Sequence, residues 1–149
     1  MDSSSHRDQK TKNKAPSPRR DGREAAVQYL YGNDVQGQIE FSPEKLEAFW
    51  SLRDAKSFAR EFATELIRGV VEHSTEIDTM IRNQLENYSF QRLAAVDRNI
   101  LRLGAYEIRY ASHIPPQAAI NEAIEIAKRF GTEESAGFVN GILDKILKR

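Results

Sequence analysis

Any chemistry in this chain has to come from histidines, carboxylates or arginines, because it contains no cysteine to act as a nucleophile, a disulfide partner or a soft metal ligand. The histidines offer little. His6 lies in a polar N-terminal stretch, His113 stands beside a Pro-Pro turn, and His73 falls at the end of a helical pattern, where an imidazolium interacts favourably with the dipole. The acidic pairs Glu122/Glu125 and Glu133/Glu134 sit at surface or capping positions. No HExxH, Walker A loop, Rossmann glycine fingerprint, EF-hand loop or nucleophile elbow is present. A triad assembled in space leaves no trace in sequence, but no pattern supports an enzyme, and no metal or cofactor is expected.

Arginines suggest a different chemistry. The 22 basic and 22 acidic side chains cancel overall, yet residues 1 to 20 carry Arg7, Lys10, Lys12, Lys14, Arg19 and Arg20 against only Asp2 and Asp8. Such a basic arm, continued by Arg23, can neutralise phosphates, while aromatic or guanidinium planes stack on unpaired bases. Phe130 after Lys128 and Arg129, and a ridge of Arg98 and Arg102, are further candidates. A basic arm is more often a solvated tail, and an aromatic at helical spacing more often core. From composition and spacing alone the chain is a helical domain with a basic arm.

The elements that position these groups follow from periodicity. Residues 1 to 18 have almost no aliphatic content and are expected to form a disordered basic arm, leaving 19 to 149 as one domain. Asp21 and Glu24 have capping-box spacing, and Ala26, Val27, Leu30 and Tyr31 form an amphipathic stripe ending near Asp34, with a start among the arginines left open. Ser42-Pro43 opens a short helix with Leu46, Phe49 and Trp50. A third helix stacks Phe58, Phe62 and Leu66. A fourth, capped by Ser74 and Thr75, carries Ile77, Met80, Ile81 and Leu85.

From Gln91 to Ala111 an apolar arc faces Arg98, Arg102 and Arg109, which project within about 40° of one another at the helical period. Glu107 projects into that arc, so it is expected to meet an arginine or helix-terminal N–H groups. Pro116 starts a helix of small residues, Ala119, Ala123 and Ala127, ending near Gly131. Thr132 is expected to cap a last helix containing Phe138, Val139, Ile142 and Leu143, with something packed on Gly137 and Gly141. Seven helices without a convincing strand make an all-α bundle. No apolar run approaches the roughly 20 residues of a membrane span, the N-terminus lacks an apolar signal region, and a cytoplasmic location is expected.

Four segments, Arg23–Tyr31, Val96–Glu107, Ala119–Gly131 and Phe138–Lys145, resemble the signature segments of the NusB family, in order. The resemblance runs from about Arg19 to the C-terminus and is weakest between Gly32 and Ser57. It implies two packed helical bundles, three helices against four, and a non-catalytic transcription antitermination factor. Such proteins pair with NusE, a small-subunit ribosomal protein, and the pair binds boxA-type single-stranded RNA, helping RNA polymerase read through terminators, chiefly in ribosomal RNA operons. By resemblance Arg19, Arg20, Arg23, Phe130, Glu134 and Phe138 belong to the RNA side, and Tyr31, Val96, Asp97 and Ile100 to the NusE side. Asp21-Gly22 interrupts the family's often continuous basic run, which implies a helix cap there and a less helical arginine segment. Two other readings stay open: a helical protein-interaction module, in a homodimer or with another protein, and a stand-alone RNA-docking domain related to ribosomal RNA methyltransferases.

Overall fold

A computed structural model describes residues 16–149; most of the expected basic arm, including Arg7, Lys10, Lys12 and Lys14, lies outside the described residues. The described residues form seven α-helices and no strand: α1 Pro18–Val35, α2 Pro43–Leu52, α3 Ser57–Glu72, α4 Ser74–Gln84, α5 Ala95–Tyr110, α6 Pro116–Phe130 and α7 Ser135–Lys148, with a 3-10 turn at Phe90–Arg92. Helices α1 to α3 make one bundle and α4 to α7 the other. They share a single core in which α1 packs on both α3 and α5.

Helix α1 starts three residues before the expected Asp21 cap. Ser17 is its N-cap, its hydroxyl accepting from the Arg20 amide at 3.2 Å, and Pro18 supplies the fixed φ of the first turn. Asp21-Gly22 is therefore inside the helix. Gly22 is required by proximity: a Cβ there would lie 2.9 Å from Phe62 Cδ2 and 3.0 Å from the Ala59 carbonyl, so glycine lets α1 and α3 cross closely. Asp21 accepts a 2.7 Å bond from Arg53, at the end of α2.

The loop after α1 is held by side chains. Gly37 takes φ +97°, the Tyr29 hydroxyl donates to the Glu40 carbonyl and accepts from the Ser42 amide, and Asn33 Oδ1 accepts from the Glu40 amide at 2.8 Å. That delivers Ser42 as the expected cap of α2, accepting from the Lys45 amide. Phe62 and Leu66 are buried as expected on α3, but Phe58 is half-exposed and stacks on Phe62 from outside. His73, without a side-chain cap bond, joins α3 to α4 in place of the expected Ser74 and Thr75 cap.

The expected helix from Gln91 is shorter. The guanidinium of Arg98 donates to the carbonyls of Phe90, Gln91 and Leu93, which holds the preceding chain as a turn and delays α5 to Ala95. At the start of α7, Ser135 caps backwards: its hydroxyl accepts from the Thr132 amide at 2.9 Å, whereas Thr132 was expected to cap α7. Gly131 keeps a negative φ, and its absent side chain makes room for Ser135.

Candidate nucleic-acid interface

The N-terminal turns of α1 divide the three candidate arginines by environment. Arg19 is exposed, its guanidinium 6.0 Å from the Phe62 ring, with no carboxylate partner among the described residues. Arg20, one residue on, turns toward α6 and forms a bidentate pair with Glu122 at 3.0 and 2.8 Å. That hydrogen bonding raises the Arg20 pKa and holds the Glu122 carboxyl below its ordinary value against the opposing effect of burial. Arg23 is 5% exposed and grips Glu107, itself 1% exposed, through two 2.8 Å bonds. Glu107 thus meets the arginine its apolar position required. Arg23, expected on the RNA side, is committed to the core between α1 and α5, because an unpaired carboxylate there would be costly.

The ridge expected from Arg98, Arg102 and Arg109 is likewise turned inward. Asp34, at the end of α1, accepts on Oδ2 from Arg98 Nε at 2.7 Å, Asn99 Nδ2 at 2.9 Å and Arg102 Nη1 at 3.1 Å. Arg102 also pairs with Asp78 of α4 through bonds of 2.9 and 3.2 Å. Burial opposes the Asp34 charge, but the hydrogen bonds from Arg98 and Asn99 and the Arg102 charge outweigh it and hold the carboxyl below its usual range. Arg109 donates to the Ile146 carbonyl. These arginines join helices; they do not form a free cationic strip.

The joint at Asp34 also fixes the expected partner face. Tyr31, one turn earlier on α1, is 41% exposed, and Val35 beside the joint is 64% exposed. Val96 and Asp97 are half-buried in the first turn of α5. Ile100, expected on the same face, is 1% exposed and belongs to the core: it projects one turn beyond Val96 toward the bundle interior, where burial of an isoleucine is worth about 1.5 to 3 kcal/mol.

Where α5 and α7 begin, residues assigned to separate faces by sequence come together. A cleft of about 210 Å³ is lined by Asp97, Glu134 and Phe138 together with Tyr88, Arg92, Leu93 and Ala94. Tyr88 is 63% exposed and meets Phe138 edge-on with ring centroids 6.3 Å apart. Asp97 Oδ1 is buried with no hydrogen-bond partner among the described residues. Phe130, 36% exposed, ends α6 four residues before Glu134, under the Arg129 guanidinium at 5.2 Å. Sequence reasoning missed Tyr88 and Arg92. An aromatic within the polar run Asn87-Tyr88-Ser89 was the available signal, since no helical stripe accounts for it.

The cleft can take planar groups against its aromatic pair and hydrogen-bond donors on its carboxylates, such as the amino groups of bases or donors of a bound protein. Gly137 and Gly141, expected to be covered, are open: a Cβ on either would meet nothing within 4 Å. The described residues hold no group of three His, Asp or Glu side chains arranged for a metal ion, and no helix long and apolar enough to cross a membrane.

The NusB family model matches residues 20–148. The chain is similar to the transcription antitermination protein NusB of Geobacter sulfurreducens, 47% identical over 128 residues that cover 86% of this chain and 92% of the relative. It is also similar to that of Thermodesulfovibrio yellowstonii, 41% identical over 138 residues covering 87% and 91%. Among solved structures, T. maritima NusB superposes with a TM-score of 0.77 at 41% identity, covering 91% of this chain and 94% of that one. A chain from a complex of the antitermination factors NusB and NusE with double-stranded RNA superposes at 0.78 and 32% identity, covering 88% and 96%.

Proposed function

Because this chain belongs to the NusB family, we propose that it works as a transcription antitermination factor, binding RNA together with NusE and promoting read-through by RNA polymerase, chiefly of ribosomal RNA operons. It acts without catalysing a reaction, in the cytoplasm where transcription takes place. The observation that supports this best is the cleft at the start of α5 and α7, in which Glu134 and Phe138 stand beside Asp97 and its unsatisfied oxygen. A buried acceptor left unpaired costs about 1 to 3 kcal/mol, so a donor brought by a partner would relieve it.

In this reading Glu134, Phe138 and Phe130 serve unpaired bases of a boxA-type strand, with Arg19 and Arg20 positioning phosphates. Tyr31, Val96 and Asp97 serve NusE. Arg23 and Ile100 act from the core: Arg23 fixes α1 so that Arg19 faces outward and Arg20 stays half-exposed beside Glu122, and Ile100 seats the first turn of α5.

Fluorescence anisotropy tests the proposal with a boxA-type single strand, a scrambled strand and a duplex, each titrated with the protein alone and with NusE at two salt concentrations. Preference for the boxA strand that strengthens with NusE and declines with salt is expected. Equal weak binding to all three, with NusE present, would reject it.

A further inference from the structure

A second, larger cavity lies away from this cleft, in the N-terminal bundle. It is an open groove of about 560 Å³ between α2, α3 and the loop before α2, lined by Phe41, Leu46, Glu47, Trp50, Arg60 and Arg68 among others. Its two arginines each lie over an aromatic ring, as Arg19 and Arg82 do elsewhere, but here both line one groove. Arg60 stacks over Trp50 at 5.5 Å, and Arg68 over Phe41 at 4.7 Å. Neither has a carboxylate partner among the described residues, whereas Arg20, Arg23, Arg53, Arg98, Arg102 and Arg129 all do. The Arg60 guanidinium donates, among the described residues, to the Ala55 carbonyl alone. Beside the groove, at the end of α2, Leu52 is 92% exposed.

A guanidinium fixed on an aromatic face keeps its N–H edge free and loses little freedom on capturing a carboxylate. Arg60 and Arg68 are eight residues apart on α3, so their backbones are separated by about 12 Å along its axis. A helix lying along α3 places carboxylates seven residues apart at about 10.5 Å, close to that spacing, and an apolar side chain between them would fall on Leu46 and Trp50. RNA fits less well. An arginine already lies over each ring, which takes that face from a base, and Glu47 on the groove wall opposes a continuous phosphate chain more than a helix whose two carboxylates sit at Arg60 and Arg68.

From this charge complementarity we infer that the α2–α3 groove docks an acidic amphipathic helix of a partner protein, its two carboxylates paired with Arg60 and Arg68 and an apolar anchor set between them. The site is distinct from the cleft of Asp97 and Phe138, so RNA and this partner bind at once, and the inference does not depend on the RNA reading.

Trp50 is the chain's one tryptophan, so its emission reports on the groove directly. The full chain is titrated with a Trp-free helical peptide carrying Glu at two-turn spacing around Leu, with the same peptide carrying Lys for Glu, and with single-stranded RNA. Saturable change of Trp50 emission by the Glu peptide, with a Kd below about 1 mM, is expected. So is at least a tenfold weakening in the Arg60→Glu, Arg68→Glu double variant, with thermal melting and RNA anisotropy unchanged. No response to the Glu peptide, an equal response to the Lys peptide, or an undiminished response in the double variant would overturn the inference. A stronger Trp50 response to RNA would replace the acidic partner with nucleic acid. Concentration-dependent self-association abolished by the double variant would make the occupant a second copy.

Discussion

Replacing Arg23 by Ala removes one partner of the pair that ties α1 to α5 and leaves Glu107, 1% exposed, without the two 2.8 Å bonds that offset its burial. Breaking a buried pair on one side costs about 3 to 5 kcal/mol, a large share of the 5 to 15 kcal/mol typical of a domain. For a chain of this length that is a fall in Tm of about 6 to 20 °C. Replacing both members, Arg23→Met with Glu107→Leu, removes the charges together and is expected to restore most of that loss, since apolar replacements of buried pairs are often neutral or better. Urea denaturation followed by circular dichroism measures both. The same double variant separates packing from recognition: if Arg23 acts only by holding α1, boxA-type RNA affinity in the presence of NusE stays within about twofold of the wild type, far below the tenfold that 1.4 kcal/mol represents. An Arg23→Ala cost under about 1 kcal/mol, or a stably folded double variant that no longer binds RNA, refutes this account of Arg23.

Asp34→Asn is expected to destabilise by on the order of 2 kcal/mol at neutral pH, because three donors converge on its carboxylate. Since the folded protein holds this carboxyl below its ordinary value, the contribution is complete above the unfolded pKa of about 3.9 and disappears as pH falls through the lower folded value. The gap between wild type and variant should therefore narrow in acid, and a gap independent of pH in denaturation curves would contradict the Asp34 assignment. Glu24, whose carboxyl burial pushes upward, acts in the opposite sense in both proteins and cancels from the difference. Gly141→Ala, on an open face, should raise stability through helix propensity worth up to about 1 kcal/mol, while Gly69→Ala, driven into the Tyr106 ring, should lower stability by about 1 to 3 kcal/mol of overpacking. The reverse order in thermal melts would show that the two faces are misassigned. Asp97→Lys should weaken NusE binding at least tenfold and impair the pair more than the fold; normal affinity by titration calorimetry would remove Asp97 from the partner face.

Periodicity carried most of the architecture because each helix buries a stripe that its own sequence displays. Ser42-Pro43 marked α2, and the isolated carboxylate of Glu107 in an apolar arc announced a buried arginine. What periodicity omits is the identity of the facing surface. Arg98 and Arg102 project together on a polar side, which read as a free ridge, but the acids that consume them are 64 and 24 residues away in sequence, on α1 and α4. A glycine inside a helix is equally silent about direction: Gly22, Gly69 and Gly104 meet side chains from other helices, whereas Gly137 and Gly141 meet none. The Asp21–Glu24 spacing suggested a cap that Ser17 supplies one turn earlier, since Pro18 accommodates the first turn and Gly22 is needed for the crossing with α3.

The same pairing pattern bears on why such a domain would work with a second protein. Among the described residues most arginines near α1 and α5 are matched to carboxylates, which locks the two bundles together but withdraws their charge from solvent. Near the proposed RNA side the cations without a carboxylate partner among the described residues include Arg19, Lys56 and Arg92, and the cleft itself carries Asp97 and Glu134. A few phosphate contacts give a shallow salt dependence, because each contributes a slope of only about −0.7 on a single strand. The carboxylates add discrimination between base edges but repel the backbone that presents them. Among the described residues the fold is stabilised with charges that a self-sufficient RNA binder would expose, so donors and cations from a neighbour docked at Asp97 would strengthen binding. That is the role the reading assigns to NusE.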